Sequence, residues 1–161
     1  MNAFKVIQIY ILFSLCCGCG FHLAGGGDFA DELSNTHVQR VSSSKDMSRL
    51  LEKSLRANQI NIVEAENATA VVRILSDETE KAVVTLDSDG KAREFELFLR
   101  VTFDVINAEK KELLGKQFIK LDRNFVFDKN NLLGANEEEQ KLLQEMRKDA
   151  ARLIVYRLQN F

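Results

Sequence analysis

The sequence predicts an α+β domain in which two helices pack on one face of a mostly antiparallel four-stranded sheet, in the order β-α-β-β-β-α. Three observations predict it. From Phe95 to Val105 the chain alternates: Phe95, Leu97, Leu99, Val101, Phe103 and Val105 face Glu94, Glu96, Arg100, Thr102 and Asp104, the pattern of a strand with one buried face. Two segments, around Met47 to Leu55 and Leu143 to Leu158, repeat apolar residues at helical spacing. Between β-branched runs, Asp89-Gly90 is a hairpin signal.

Taken in order, Met1 to Lys5 is a short segment with one basic side chain, and Val6 to Leu15 is a mostly apolar run followed by Gly18-Cys19. That is the layout of a secretory signal. The run is too short for a permanent span, which needs about 20 apolar residues. A small residue immediately before a cysteine resembles the bacterial lipobox, in which the cysteine becomes the acylated first mature residue. Cys16 replaces the usual leucine three places before Cys19, and cleavage before Cys17 fits worse. Residues 1–18 are therefore expected to be a lipoprotein signal peptide, Cys19 the lipidated residue and 19–30 a tether rich in glycine. Residues 31–161 form a single domain. A zinc reading of Cys16, Cys17, Cys19 and His22 fits no closed ligand spacing and has no second cluster to complete it.

Within the domain, His37 to Val41 is a short β-type run. Ser43 and Asp46 have capping-box spacing before a helix from about Lys45 to Asn58. Ala70 to Leu75 and Ala82 to Leu86 are β-branched runs separated by a polar stretch, and the hairpin turn follows. Phe98 interrupts the polar face of the next strand and marks a second contact surface. Asn107 to Lys116 reads as a loop, and Ile119, Leu121, Phe125 and Phe127 line one face of another strand. The last helix opens at Asn136-x-x-Glu139, with acidic residues in its first turn and Arg152 and Arg157 towards its end, where cations are favoured.

Composition limits the function. Of 161 residues, 45% are hydrophobic and 29% charged, and none is proline, which suits an ordinary globular domain. The net charge is −2, and loss of Lys5 with the signal takes it to −3, against a protein that binds by neutralising nucleic-acid phosphates. With one acylated cysteine left, no disulfide forms, and a domain of this length needs none.

Several short motifs together carry a family resemblance. Cys19-Gly20-Phe21-His22-Leu23, Gly90-x-x-Arg93-Glu94-Phe95-Glu96-Leu97 after a hairpin, Arg123-x-Phe125-x-Phe127-Asp128 at a strand end, and Glu145-Met146, Asp149-Ala150-Ala151 and Arg157-Leu158 in the last helix resemble the LptE family of lipopolysaccharide-assembly lipoproteins. The resemblance runs through the mature chain in order. It implies two helices on a four-stranded sheet, a place as plug and assembly partner inside the LptD β-barrel of the outer membrane, and contact with lipopolysaccharide. Gly20, rather than Asp, after Cys19 resembles the signal for outer-membrane delivery. Ala24 stands where the family commonly has arginine, so no role of that arginine carries over.

The ligand so implied presents phosphates and acyl chains, and asks for Lys or Arg beside apolar surface. Lys91 and Arg93, beside the Asp89-Gly90 turn, are the expected cations, with Lys81 across the hairpin as a third. Lys and Arg are absent between Lys129 and Lys141, so the segment entering the last helix supplies none.

Catalysis has little to rest on. The chain lacks a G-x-S-x-G elbow, His37 has no acidic neighbour in sequence, and capping accounts for Ser42 to Ser44. Asp87-Ser88-Asp89-Gly90 has Lys91 where further calcium ligands would follow. The expected protein is neither an enzyme nor cofactor-dependent. The competing readings are a generic periplasmic lipoprotein scaffold with another partner, and an RNA-binding α+β module. The charge, the export signal and the missing RNP-type aromatics count against the RNA module.

Overall fold

A computed structural model describes residues 29–127 and 132–160 of the chain. The signal peptide, Cys19 and nearly all of the tether lie outside the described residues. The elements are β1 (Asn35–Arg40), α1 (Lys45–Ala57), β2 (Asn61–Ile62), β3 (Ala70–Leu86), β4 (Ala92–Asn107), β5 (Glu112–Val126) and α2 (Leu132–Leu158), with 3₁₀ turns at Asp31–Leu33 and Ala65–Asn67.

The strands form one sheet in the order β2-β1-β3-β4-β5. The sheet is mixed. β1 runs parallel to both β2 and β3, whereas β3, β4 and β5 form an antiparallel meander. This corrects the expected four mostly antiparallel strands: the fifth, β2, is two residues long and follows the αL residue Gln59 (φ 68°) that ends the α1 connection. Two residues carry no periodicity to read.

Both helices cover the same face, as expected. Leu97, Leu99, Val101, Phe103 and Val105 of β4 are buried beneath Met47, Leu51 and Leu55 of α1 and Met146, Ala150, Ile154 and Leu158 of α2. Removing the Phe103 side chain from such a core costs about 3–5 kcal/mol.

The two β-branched runs before the hairpin belong to a single 17-residue strand, β3. Its register shifts between Ile74 and Ser76, so Ile74 pairs with Phe103 but Asp77 pairs with Val101. The extra residue reverses the alternation. Asp77 and Lys81 therefore turn towards the helices, and what reads as a polar linker is a strand with charged residues on its helix-facing side.

Three further boundaries differ from the sequence reading. Ser44, not Ser43, caps α1, its Oγ accepting from the Met47 N–H at 3.1 Å. The expected loop from Asn107 shrinks to four residues, because β5 already begins at Glu112 with Leu113 and Leu114 half-buried. α2 starts at Leu132, which places Asn136 inside the helix rather than at its cap.

On the helix-free face, Arg73 donates to Asp104 through Nε and Nη2 at 2.7 and 2.6 Å. The hydrogen bond to Asp104 pushes the guanidinium pKa above its ordinary value. The charges of Asp104 and Glu112 add to that, and burial opposes it. Phe98 and Phe118 also lie on this face, 37% and 49% exposed.

Candidate functional site

The β3–β4 hairpin ends in a turn built by Asp87. Its Oδ1 accepts from the N–H groups of Asp89 and Lys91, both at 2.9 Å, while its own N–H donates to the Lys91 carbonyl at 2.7 Å. Gly90 donates to the Asp87 carbonyl at 3.0 Å and adopts φ +73°, a left-handed conformation that costs glycine little. Asp87 therefore takes up the turn N–H groups through its side chain, an Asx-type arrangement.

This turn holds Lys91 and Arg93 at the end of the molecule. Both side chains are exposed, and neither forms an ion pair or side-chain hydrogen bond among the described residues. The Arg93 carbonyl accepts from the Phe127 N–H at 2.8 Å, which extends the β4–β5 pairing to the tip. Behind Arg93, the Phe95 ring stacks on Phe125 and meets Phe127 edge-on, with centroids 5.6 Å apart in each case. Such pairs stiffen the base from which the tip projects.

Lys81 is placed differently. It pairs with Leu97, well below the turn, and its Nζ lies 2.5 Å from Glu139 of α2 and 4.6 Å from the Phe95 ring centroid. Its ammonium is engaged in holding sheet and helix together. The structure brings Lys91 and Arg93 together and sets Lys81 apart from them.

Sequence reasoning passed over the apolar surface beside these cations. Val83, Val84 and Leu86 on the outgoing strand and Val126 at the end of β5 are 48–61% exposed. Register places them at the tip end of the sheet on both of its faces: Val83 pairs with Phe95 on the helix-covered side, and Val126 pairs with Glu94 on the other. α2 begins two turns before Glu139, so Leu132 and Leu133, 57% and 79% exposed, lie about 10 Å further towards the tip. The β-branched run before Asp89-Gly90 carries this signal, since strand propensity and exposed aliphatic surface draw on the same side chains.

Exposed aliphatic side chains at the same end of the sheet as two cations suit an amphiphilic anion, with phosphate oxygens at Lys91 and Arg93 and hydrocarbon against the aliphatic side chains. Among the described residues, no helix is long and apolar enough to cross a membrane.

Comparison with known proteins agrees in fold and in kind. The family model LptE, lipopolysaccharide-assembly, matches residues 33–158. The LPS-assembly lipoprotein LptE of Photorhabdus laumondii subsp. laumondii is 32% identical over 142 residues, covering 88% of this chain and 77% of that one. Among solved structures, lipoprotein B of Nitrosomonas europaea superposes with a TM-score of 0.67 at 29% identity, covering 84% of this chain and 87% of its own. The rare lipoprotein B of Shewanella oneidensis gives a TM-score of 0.64 at 31% identity, covering 76% and 92%.

Proposed function

The chain belongs to the LptE family of lipopolysaccharide-assembly proteins, and from that premise we propose that it is an outer-membrane lipoprotein that partners an LptD-type β-barrel and binds lipopolysaccharide at its hairpin tip. The observation that carries this reading is the tip itself: among the described residues Lys91 and Arg93 form no ion pair, and exposed Val83, Val84 and Leu86 lie at the same end of the sheet. A soluble domain gains nothing in stability from exposed aliphatic side chains. They fit a surface that meets hydrocarbon or the inside of a partner.

In this reading Cys19 carries the lipid, residues 19–30 tether the domain, and the domain plugs the barrel with its tip end inside. Lys81 belongs to the support of the tip: through Glu139 it fixes the start of α2 above the aromatic base, and so positions Leu132 and Leu133. The chemistry is recognition of phosphate and acyl groups, without a covalent step.

The test is recovery of the full chain from outer membranes in mild detergent. One large barrel protein and lipopolysaccharide should co-purify, and depletion of the chain should lower the amount of correctly folded barrel. Intact mass should show loss of residues 1–18 and a lipid increment on Cys19. A chain recovered without a barrel, with barrel folding normal after its depletion, would leave the generic-scaffold reading in its place.

A further inference from the structure

The hairpin tip is not the only place where cations border apolar surface. Between α1 and α2 lies a groove of about 360 Å³, lined by Leu50, Ser54, Ala57 and Ala151 with Lys53, Lys148 and Arg152. Its size falls within the range of small-ligand sites. Lys53 and Lys148 are exposed and form no ion pair among the described residues. Arg152 pairs with Asp149, which also receives Arg123. Glu52, the acid beside Lys53, is paired to Arg56 at 3.9 Å. In a chain of net charge −2 the rim is locally positive.

Along α1, Lys45, Arg49 and Lys53 recur every four residues on one exposed stripe, with Arg49 paired to Asp46 at 3.8 Å. The groove also lies at a defined end of the molecule. α2 runs from Glu139 beside Lys81 to Arg157, which hydrogen-bonds Gln117, so its second half points away from the tip. α1 ends there too. The Asn61 N–H just beyond it donates to the Ser34 carbonyl, and Phe29, where the described chain begins, packs against the core. β1 starts at the end of the sheet opposite the tip, six residues after Phe29, and a fully extended chain of ten residues, the number from Cys19 to Phe29, spans at most about 35 Å.

We propose that the α1–α2 groove seats the headgroup of an anionic phospholipid, giving the domain a second lipid contact at the end where its own anchor enters. The phosphate meets Lys53 and Lys148, and the first methylenes lie on Leu50, Ala57, Ala151 and the aliphatic stems of the rim cations. Two features favour a lipid over a peptide. The floor spans only two turns of α1, about 10 Å, too short to seat a partner helix. A tether of at most about 35 Å lets a bilayer surface reach the groove end of the domain, a step that rests on the Cys19 reading.

The test is calorimetric titration of the full chain in an uncharged detergent, at low salt, with dioctanoyl-phosphatidylglycerol. Because the titrant is soluble, the result does not depend on whether Cys19 is acylated or the tip binds lipopolysaccharide. Binding at least tenfold tighter than that of dioctanoyl-phosphatidylcholine is expected, with at least a tenfold loss in Lys53→Glu with Lys148→Glu and unchanged lipopolysaccharide binding in the same variant. The milder Lys53→Gln with Lys148→Gln, which cannot disturb the core, should lose severalfold. Equal binding of both lipids, binding of glycerol 3-phosphate as tight as that of the lipid, tighter binding of an oligoglutamate peptide, or a glutamine variant that binds like the parent would each overturn the proposal.

Discussion

The ammonium of Lys81 lies 2.5 Å from the carboxylate of Glu139, joining the middle of β3 to the third turn of α2 across 58 residues of sequence. Phe95 and Phe125 close the other side of that ammonium, at 4.6 and 5.6 Å. The contact ties the part of α2 nearest the tip to the strand that leads into it.

Lys81→Met keeps the stem over Phe95 but removes the charge. With Lys81 about one-third exposed, solvent screening holds the ion pair to roughly 1 kcal/mol, and the cation–π contact adds on the order of 0.5–1 kcal/mol. The expected outcome is a loss of about 1–2 kcal/mol together with faster amide exchange over residues 132–142. Exchange confined to the parent's rates would mean that the core holds the start of α2 without this pair.

Asp77 matters more for stability. Its carboxylate, 3% exposed, accepts from the Ser44 N–H at 2.6 Å, the Ser44 Oγ at 2.7 Å and Arg147 Nε at 3.3 Å, so one side chain joins the α1 cap, β3 and α2. Asp77→Ala strands a largely buried guanidinium and frees the cap. Removing one partner of such a pair costs about 3–5 kcal/mol, or roughly a 10 °C fall in Tm for a domain of this size. Asp77→Asn keeps the acceptor for Ser44 and should cost about half as much. If thermal unfolding ranks the two variants the other way, the Ser44 and Arg147 contacts are not what Asp77 contributes.

These polar clasps also mark where the sequence stops being legible. The alternation from Phe95 to Val105 could be read because β4 buries one face along its length, whereas β3 broke into two apparent runs. Its bulge at Leu75 shifts the phase, and Asp77 and Lys81 face inward to partners on a helix distant in sequence. Alternation detects burial of apolar side chains, not burial of paired charges. The start of α2 is illegible for the opposite reason: Leu132 and Leu133 are exposed, and so lie off the stripe that reveals an amphipathic helix. At the site, Asp89-Gly90 suffices to place Lys91 and Arg93 beside a turn, Arg93 already within β4. The partner of Lys81 depends on tertiary packing that no local pattern records.

Arg73 and Asp104 offer a test of pH dependence. The pair raises the arginine pKa above its ordinary value, so its contribution to stability is complete below that value and is lost only as pH climbs through the raised one. On the arginine side, the coupling measured by a double-mutant cycle with Arg73→Gln and Asp104→Asn should stay constant from about pH 6 to about pH 10. A coupling that falls steadily across that window would show that another titrating group controls the pair.

At the tip, charge and hydrocarbon can be separated by mutation. Lys91→Glu with Arg93→Glu removes the two cations without touching the core, since both side chains are exposed. Charge-assisted contacts of this kind are worth about 1.5–3 kcal/mol when shielded and less in water, so lipopolysaccharide binding should weaken at least about tenfold, equivalent to 1.4 kcal/mol. The loss should be largest at low salt, where exposed charges are least screened. Leu86→Ser with Leu133→Ser removes aliphatic surface instead; at 61% and 79% exposure, neither residue contributes much to folding. Burying a leucine completely is worth about 1.5–3 kcal/mol, so half-burial of both against acyl chains predicts a loss of at least about tenfold in this variant. The two variants should part on a deacylated ligand: the leucine variant should bind it like the parent, while the charge variant should bind it weakly. If both variants lose the acylated and the deacylated ligand alike, the tip is not divided into phosphate and hydrocarbon halves. If neither loses binding at low salt, the ligand sits elsewhere on the domain.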